Sequence, residues 1–209
     1  MKIASLETGI VLLPNDEPLA GFSENPNTKN PIVWLKLRSD DGIEGLGVCY
    51  FGGALTRTLR HAVDELGALA IGEDPLRVEA VAKKLRDAAG QSGPAGILML
   101  AMSAIDVALW DLKGKALGLS LWKLLGGGRD RIPTYASGAL RRGLKLEEAL
   151  TAAGRLREKG HRQTKMQLGL PGVTSPTREV EQARLIRQAV GPDMDLMCDI
   201  NQRWRPEQA

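Results

Sequence analysis

Three consecutive glycines, Gly126-Gly127-Gly128, cut the 209-residue sequence into two stretches whose hydrophobic patterns do not belong to one architecture. Adjacent residues without a Cβ make a hinge or a close backbone approach. Ahead of them the chain reads as strands and then helices. Behind them strand and helix alternate, which implies a parallel sheet or barrel. The chain is therefore expected to hold two domains, 1–126 and 127–209.

In the first stretch, Lys2 to Leu12 is a β-rich run, followed by a polar segment from Pro14 to Pro31. Val33, Leu35 and Leu37 then alternate with Trp34, Lys36 and Arg38, the period of a half-buried strand. Asp40-Asp41-Gly42 supplies a tight hairpin turn, and Ile43 to Phe51 runs back as a strand spaced by glycines. These segments predict a three-stranded meander. Its polar loops, about Pro14 to Asn30 and Tyr50 to Ala54, are placed to reach over something else. Thr56 to Leu69 and Pro75 to Ala88 are amphipathic helices. Ile97 to Lys115 is apolar almost all round and is expected to be the buried helix.

In the second stretch, Ile132 to Ser137 reads as a short strand, and Leu146 to Glu158 as a helix with Ala149, Ala152, Ala153 and Leu156 inward. Gln163 to Leu168 is the next strand. Ser175-Pro176 opens a helix, with a capping hydroxyl and then proline at the first helical position. That helix is expected to turn Val180, Ala183, Ile186 and Val190 inward and to stop at Gly191-Pro192. Met194 to Asp199 is a third strand, and Arg205-Pro206-Glu207 a third helix start.

Several function classes fall on composition. The 28 basic and 25 acidic residues nearly cancel, and Arg141-Arg142, Arg155-Leu156-Arg157 and Arg203-Trp204-Arg205 are short. They read as solvated faces, so no nucleic acid is expected. The run Ala95 to Met102 is too short to span a bilayer, and no membrane partner is expected. The first residues show no signal-peptide pattern. Two distant cysteines, Cys49 and Cys198, make no disulfide scaffold, which points to a reduced, cytoplasmic setting. His61 and His161 lack metal-ligand spacing. Gly42, Gly45 and Gly47 open no helix and form no phosphate loop. Asp106 and Asp111 point to different faces of their helix, where pairing or capping is the simpler role. The four tryptophans read as packing residues, with Trp204 also near enough to the last strand end to line a site.

Parallel α/β architectures place function at the C-terminal ends of their strands. That rule selects Ser137, Lys165 and Gln167, and Asp199 and Asn201. Lys165 and Gln167 leave one face of a strand, which in a barrel is the interior. A lysine there must be paired or shift its pKa, which is how catalytic amines are made. Asp199 and Asn201 also share a face and offer hard oxygen atoms of the kind that suit magnesium. Spacing alone is a weak signal: strand-end lysines are commonly surface residues, and Asp-x-Asn often only shapes a turn.

The run Ser103-Ala104-Ile105-Asp106-Val107-Ala108-Leu109-Trp110-Asp111-Leu112-Lys113-Gly114-Lys115-Ala116-Leu117-Gly118, with Leu124-Leu125-Gly126-Gly127 after it, closely resembles the enolase superfamily, most of all its mandelate racemase/muconate-lactonizing group. The resemblance covers essentially the whole chain. It implies an α+β capping domain over 1–126, with the two polar loops as specificity loops, and the start of a (β/α) TIM-type barrel over 127–209. It further implies Mg2+, a small carboxylate substrate such as an acid sugar or hydroxy acid, and a homo-oligomer.

Members of the group abstract the proton α to a carboxylate and stabilise the enediolate on the metal. Their Lys-x-Lys motif corresponds to Lys165-Met166-Gln167, and their Asp-x-Asn to Asp199-Ile200-Asn201. By resemblance Asp199 is the first metal ligand, Asn201 and Ser137 contact the substrate, and Lys165 and Gln167 are catalytic. The departure is Gln167, since an amide takes no proton near neutral pH. It can donate a hydrogen bond instead, while Lys165 serves as base or electrostatic stabiliser. A one-base acid-sugar dehydratase is thus preferred over a racemase or epimerase of a hydroxy or amino acid. A whole (β/α)8 barrel takes roughly 250 residues, so a truncated barrel is expected, and the non-enzymatic alternative is an inactive fragment holding half a site.

Overall fold

The computed structural model describes residues 1–14, 19–21, 29–50, 53–170, 172 and 176–208. The expected loops Pro14–Asn30 and Tyr50–Ala54 fall partly outside these residues, and the expected capping residue Ser175 falls outside them altogether. The chain divides into two compact units, Met1–Leu13 with Lys29–Asp130, and Pro14–Thr28 with Arg131–Ala209.

The first unit holds a sheet of β1 (Ile3–Pro14), β2 (Lys29–Ser39) and β3 (Glu44–Cys49), in that order, and the helices α1 (Thr56–Ala68), α2 (Val78–Ala89), α3 (Ile97–Ala116) and the single turn α4 (Leu121–Leu124). The alternation read in the sequence is the one observed: Val33, Leu35 and Leu37 are fully buried. They meet Leu59 and Val63 of α1, Leu85 of α2, and Ile105, Leu109 and Leu112 of α3 in one core. β2 and β3 pair antiparallel, with Trp34 opposite Val48 and Leu37 opposite Gly45. The glycines of β3 have a steric reason. A Cβ on Gly45 would land on the carbonyl oxygen of Ala108, and one on Gly47 on that of Ala104. The helix backbone thus lies directly on the strand, an approach no larger residue permits. Asp111 fastens the same contact by accepting from Leu46 N–H at 2.8 Å and from Lys115 Nζ at 2.7 Å. Pairing is therefore its role, as its place on the helix suggested.

The second unit is a parallel sheet in the order β4 (Ala136–Leu140), β5 (Gln163–Gln167), β6 (Asp195–Asp199), with α5 (Leu146–Glu158) and α6 (Pro176–Val190) between successive strands. α5 buries the face expected of it: Ala149, Ala152, Ala153 and Leu156. Glu148 in its first turn accepts from Lys145 N–H at 3.0 Å, satisfying one orphan donor at the helix start. Thr164 and Met166 of β5 point into this core with Ile186 and Val190 of α6, while Lys165 and Gln167 take the opposite, half-open face.

Two expectations are corrected. The first strand of this unit begins at Ala136, not Ile132, and runs on to Leu140. Ala136 is opposite Thr164 but Leu140 is opposite Met166, so Ser137, Gly138 and Ala139 bulge from the ladder beside Lys165. Gly138 takes the bend at φ 93°. α6 is turned by one position at its start: Val180 is 66% exposed and Glu179 is buried. Glu179 is tolerated inside because its carboxylate accepts the Leu170 N–H at 2.6 Å. The helix start expected at Arg205-Pro206-Glu207 is present as a 3-10 turn, Pro206–Gln208.

Candidate active site

The half-open face of the second sheet carries the strand-end residues singled out by sequence. The register sets Lys165 opposite Met197 and Gln167 opposite Asp199, so all four side chains leave the same face. Lys165 reaches along the neighbouring strand to put Nζ 2.9 Å from Asp199 Oδ2. The Tyr135 ring lies beside the ammonium, 5.6 Å from Nζ to centroid. The other oxygen of Asp199, Oδ1, accepts the Asn201 N–H at 2.9 Å. Asp199 thus shapes a turn and pairs a lysine at once. The turn sets Asn201 and Gln202 in the left-handed region, at φ 46° and 61°. Asn tolerates that conformation; Gln adopts it only under constraint.

Each member of the pair favours the charged form of the other. The hydrogen bond from Lys165 holds the Asp199 carboxyl below the ordinary carboxylate range, helped by the Asn201 N–H and by the charge of Arg142. The hydrogen bond to Asp199 raises the Lys165 pKa. The structure therefore answers the question of the inward lysine by pairing: its pKa moves up, not down.

Arg142 is the residue that the sequence reading missed. Its short basic spot reads as solvated, yet the side chain is only 9% exposed. Its Nε and backbone N–H both point at Gln167 Oε1, at 3.4 and 3.5 Å. Its Nη1 reaches the carbonyl oxygens of Gly169 and Ile200, each at 3.3 Å, and its Nη2 donates to Asn201 Oδ1. One guanidinium thus gathers the ends of β5 and β6. The signal lay in the strand-end rule itself. With β4 ending at Leu140, Arg142 lies two residues past a C-terminal strand end; reading that strand as ending at Ser137 hides it.

The five residues singled out by sequence fall into two groups. Lys165, Gln167, Asp199 and Asn201 form one connected cluster, with Arg142 added. Ser137 is exposed and occupies the β4 bulge at the level of Lys165. Trp204 packs against the core of this unit. For a hard divalent cation the donor set fits in kind. Asp199 is an ionised carboxylate, and each of its oxygens keeps a lone pair beyond the bond described. Asn201 is less suited, because its amide oxygen is held by Arg142. Among the described residues no group of three or more His, Cys, Asp or Glu is placed to hold a metal.

Comparison with known proteins gives this geometry its relatives. A family model described as the mandelate racemase/muconate lactonizing enzyme N-terminal domain matches residues 11–126, and one described as the enolase C-terminal domain-like family matches 147–209. L-talarate/galactarate dehydratase of Salmonella typhimurium is 33% identical over the whole of this chain and 53% of its own length. D-galactarolactone cycloisomerase of Agrobacterium fabrum is 31% identical over the whole chain and 54% of its own. The solved structure of the Salmonella dehydratase, liganded with Mg and L-lyxarohydroxamate, superposes with a TM-score of 0.85 at 31% identity, covering 99% of this chain and 53% of that one. The chain spans about half the length of these relatives.

Proposed function

This chain belongs to the mandelate racemase/muconate lactonizing enzyme family, and from that membership we propose that it serves a magnesium-dependent dehydratase of acid sugars. The observation that carries this reading is the Lys165–Asp199 pair, an amine and a hard anionic ligand at adjacent parallel strand ends. In the same reading 1–126 is the capping domain and 127–209 opens a (β/α) barrel, in a cytoplasmic homo-oligomer. Among the described residues no helix is long and apolar enough to cross a membrane.

Asp199 would hold the magnesium, which when bound would supply positive charge opposite a substrate carboxylate. The rest follows from this chain's own groups. Lys165 Nζ can both take and return a proton, which the Arg142 guanidinium and the amides of Gln167 and Asn201 cannot. The ammonium, which the bond to Asp199 favours, is the form that holds the developing negative charge; the neutral amine, the form that removes a proton α to a carboxylate, requires that bond to be given up. Gln167 donates a hydrogen bond to the same charge, and Asn201 and Ser137 contact the rest of the substrate.

Racemisation through a base on each face needs a proton acceptor that Gln167 cannot be, so one-sided chemistry is favoured. Cycloisomerisation of a sugar lactone is the second reading, supported by the Agrobacterium relative. The test is to incubate galactarate, related acid sugars and, separately, a galactarolactone with the protein and magnesium in deuterated water. Dehydration appears as loss of the α-proton signal with a 2-keto product, and cycloisomerisation as an isomer of the lactone supplied. Lys165→Ala should slow either reaction by about 100-fold or more; an unchanged rate removes Lys165 from the mechanism.

A further inference from the structure

Gln167 stands where the family motif has a lysine, and the same structure buries an arginine against it. We propose that Arg142 is a positioning residue that fixes Gln167 as a hydrogen-bond donor toward the substrate and, by its charge, excludes a lysine from position 167. Insofar as Gln167 faces substrate, this rests on the acid-sugar reading above.

The amide of Gln167 is engaged from one side. Both the Nε and the backbone N–H of Arg142 point at its Oε1. An amide oxygen held in this way leaves the Nε2 hydrogens as the end available elsewhere, so the side chain presents donors only. Arg142 is itself held by the Gly169 and Ile200 carbonyl oxygens and by Asn201 Oδ1. A guanidinium anchored at so many points, and buried, cannot swing aside. An ammonium at 167 would meet it at close range, a like-charge contact on a face whose described carboxylate, Asp199, is already committed to Lys165 and the Asn201 N–H. The glutamine and the arginine are thus one device: the cation at this corner is carried by Arg142, which never acts as a base, and position 167 becomes a neutral donor.

The test uses the full 209-residue chain without metal or substrate. Thermal unfolding is followed for the parent, Gln167→Lys, Arg142→Gln and the double variant. Gln167→Lys should lower Tm by about 5 °C or more in the parent, and by far less when Arg142→Gln is also present. Equal losses in the two backgrounds would overturn the charge exclusion. Should Arg142→Gln fail to fold, Gln167→Lys and Gln167→Met in the parent decide the point: charge exclusion predicts a much larger loss for Lys, and equal losses refute it. Positioning is read separately by NMR of the Gln167 side-chain amide. Arg142→Lys keeps the charge but not the fork, and should speed solvent exchange of that amide severalfold while lysine at 167 is still rejected. An amide that exchanges as in the parent would overturn the positioning role. Because no magnesium enters these measurements, their failure leaves the catalytic reading standing, and a failure of magnesium to bind leaves them standing.

Discussion

Lys165 Nζ and Asp199 Oδ2 lie 2.9 Å apart although their backbones are two residues out of register on neighbouring strands. The lysine leans along β6 to make this contact, and the lean carries it past Met197 to the strand end. A surface lysine of no consequence would extend into solvent. This one is tied to a carboxylate that also shapes the turn carrying Asn201, so a change at any one of these groups is felt at the others.

The guanidinium of Arg142 links the ends of β5 and β6 through two carbonyl oxygens. Arg142→Ala leaves those acceptors without this charged donor and should cost about 2–3 kcal/mol. Urea unfolding checks it; a loss below about 0.5 kcal/mol would mean that the strand ends are held by other contacts.

Gly47→Ala drives a methyl group onto the Ala104 carbonyl oxygen, which is helix backbone and cannot rotate away. The expected cost is about 3 kcal/mol or more, or failure of the first unit to fold. Gly128→Ala, with nothing within 4 Å of its added Cβ, should be close to neutral in the same melts.

Gly154 sits inside α5 with open space where a Cβ would point. Gly154→Ala should stabilise the protein by up to about 1 kcal/mol, chiefly through the unfolded chain's lost freedom. A lower midpoint in urea would show that the site is not open.

The two thiols should differ in reactivity. Burial pushes the Cys49 thiol up to about 11, and Cys198 is exposed, with its pKa raised by partial burial. At pH 8 the Cys49 thiolate is therefore scarce as well as shielded. Alkylation followed by mass spectrometry should label Cys198 first, with Cys49 reacting only on unfolding. Equal rates would contradict the packing of β3 against α3.

Much of this was legible in the residues, for physical reasons. The period-two stripe of β2 and the small-residue face of α5 are set by burial of one face, and burial is what the pattern records. The near-uniform apolarity of α3 foretold a helix covered on most sides. Illegible were features that depend on exceptions. β4 is displaced because the bulge at Ser137–Ala139 breaks the alternation a strand is recognised by. Glu179 lies inward because a backbone N–H on a loop meets it, and a tertiary partner of that kind leaves no trace in spacing. Arg142 was hidden by its residue type: an arginine reads as solvated until the carbonyl oxygens that hold it are known. The pair that matters most, Lys165 and Asp199, was found by the strand-end rule, but the upward direction of the lysine's pKa needed the 2.9 Å contact.

The most direct measurement is a calorimetric titration of magnesium into the protein and into Asp199→Ala. A metal site built on Asp199 predicts saturable binding of one magnesium per chain in the parent and its loss in the variant. Equal binding by both proteins, or none by the parent, would contradict it.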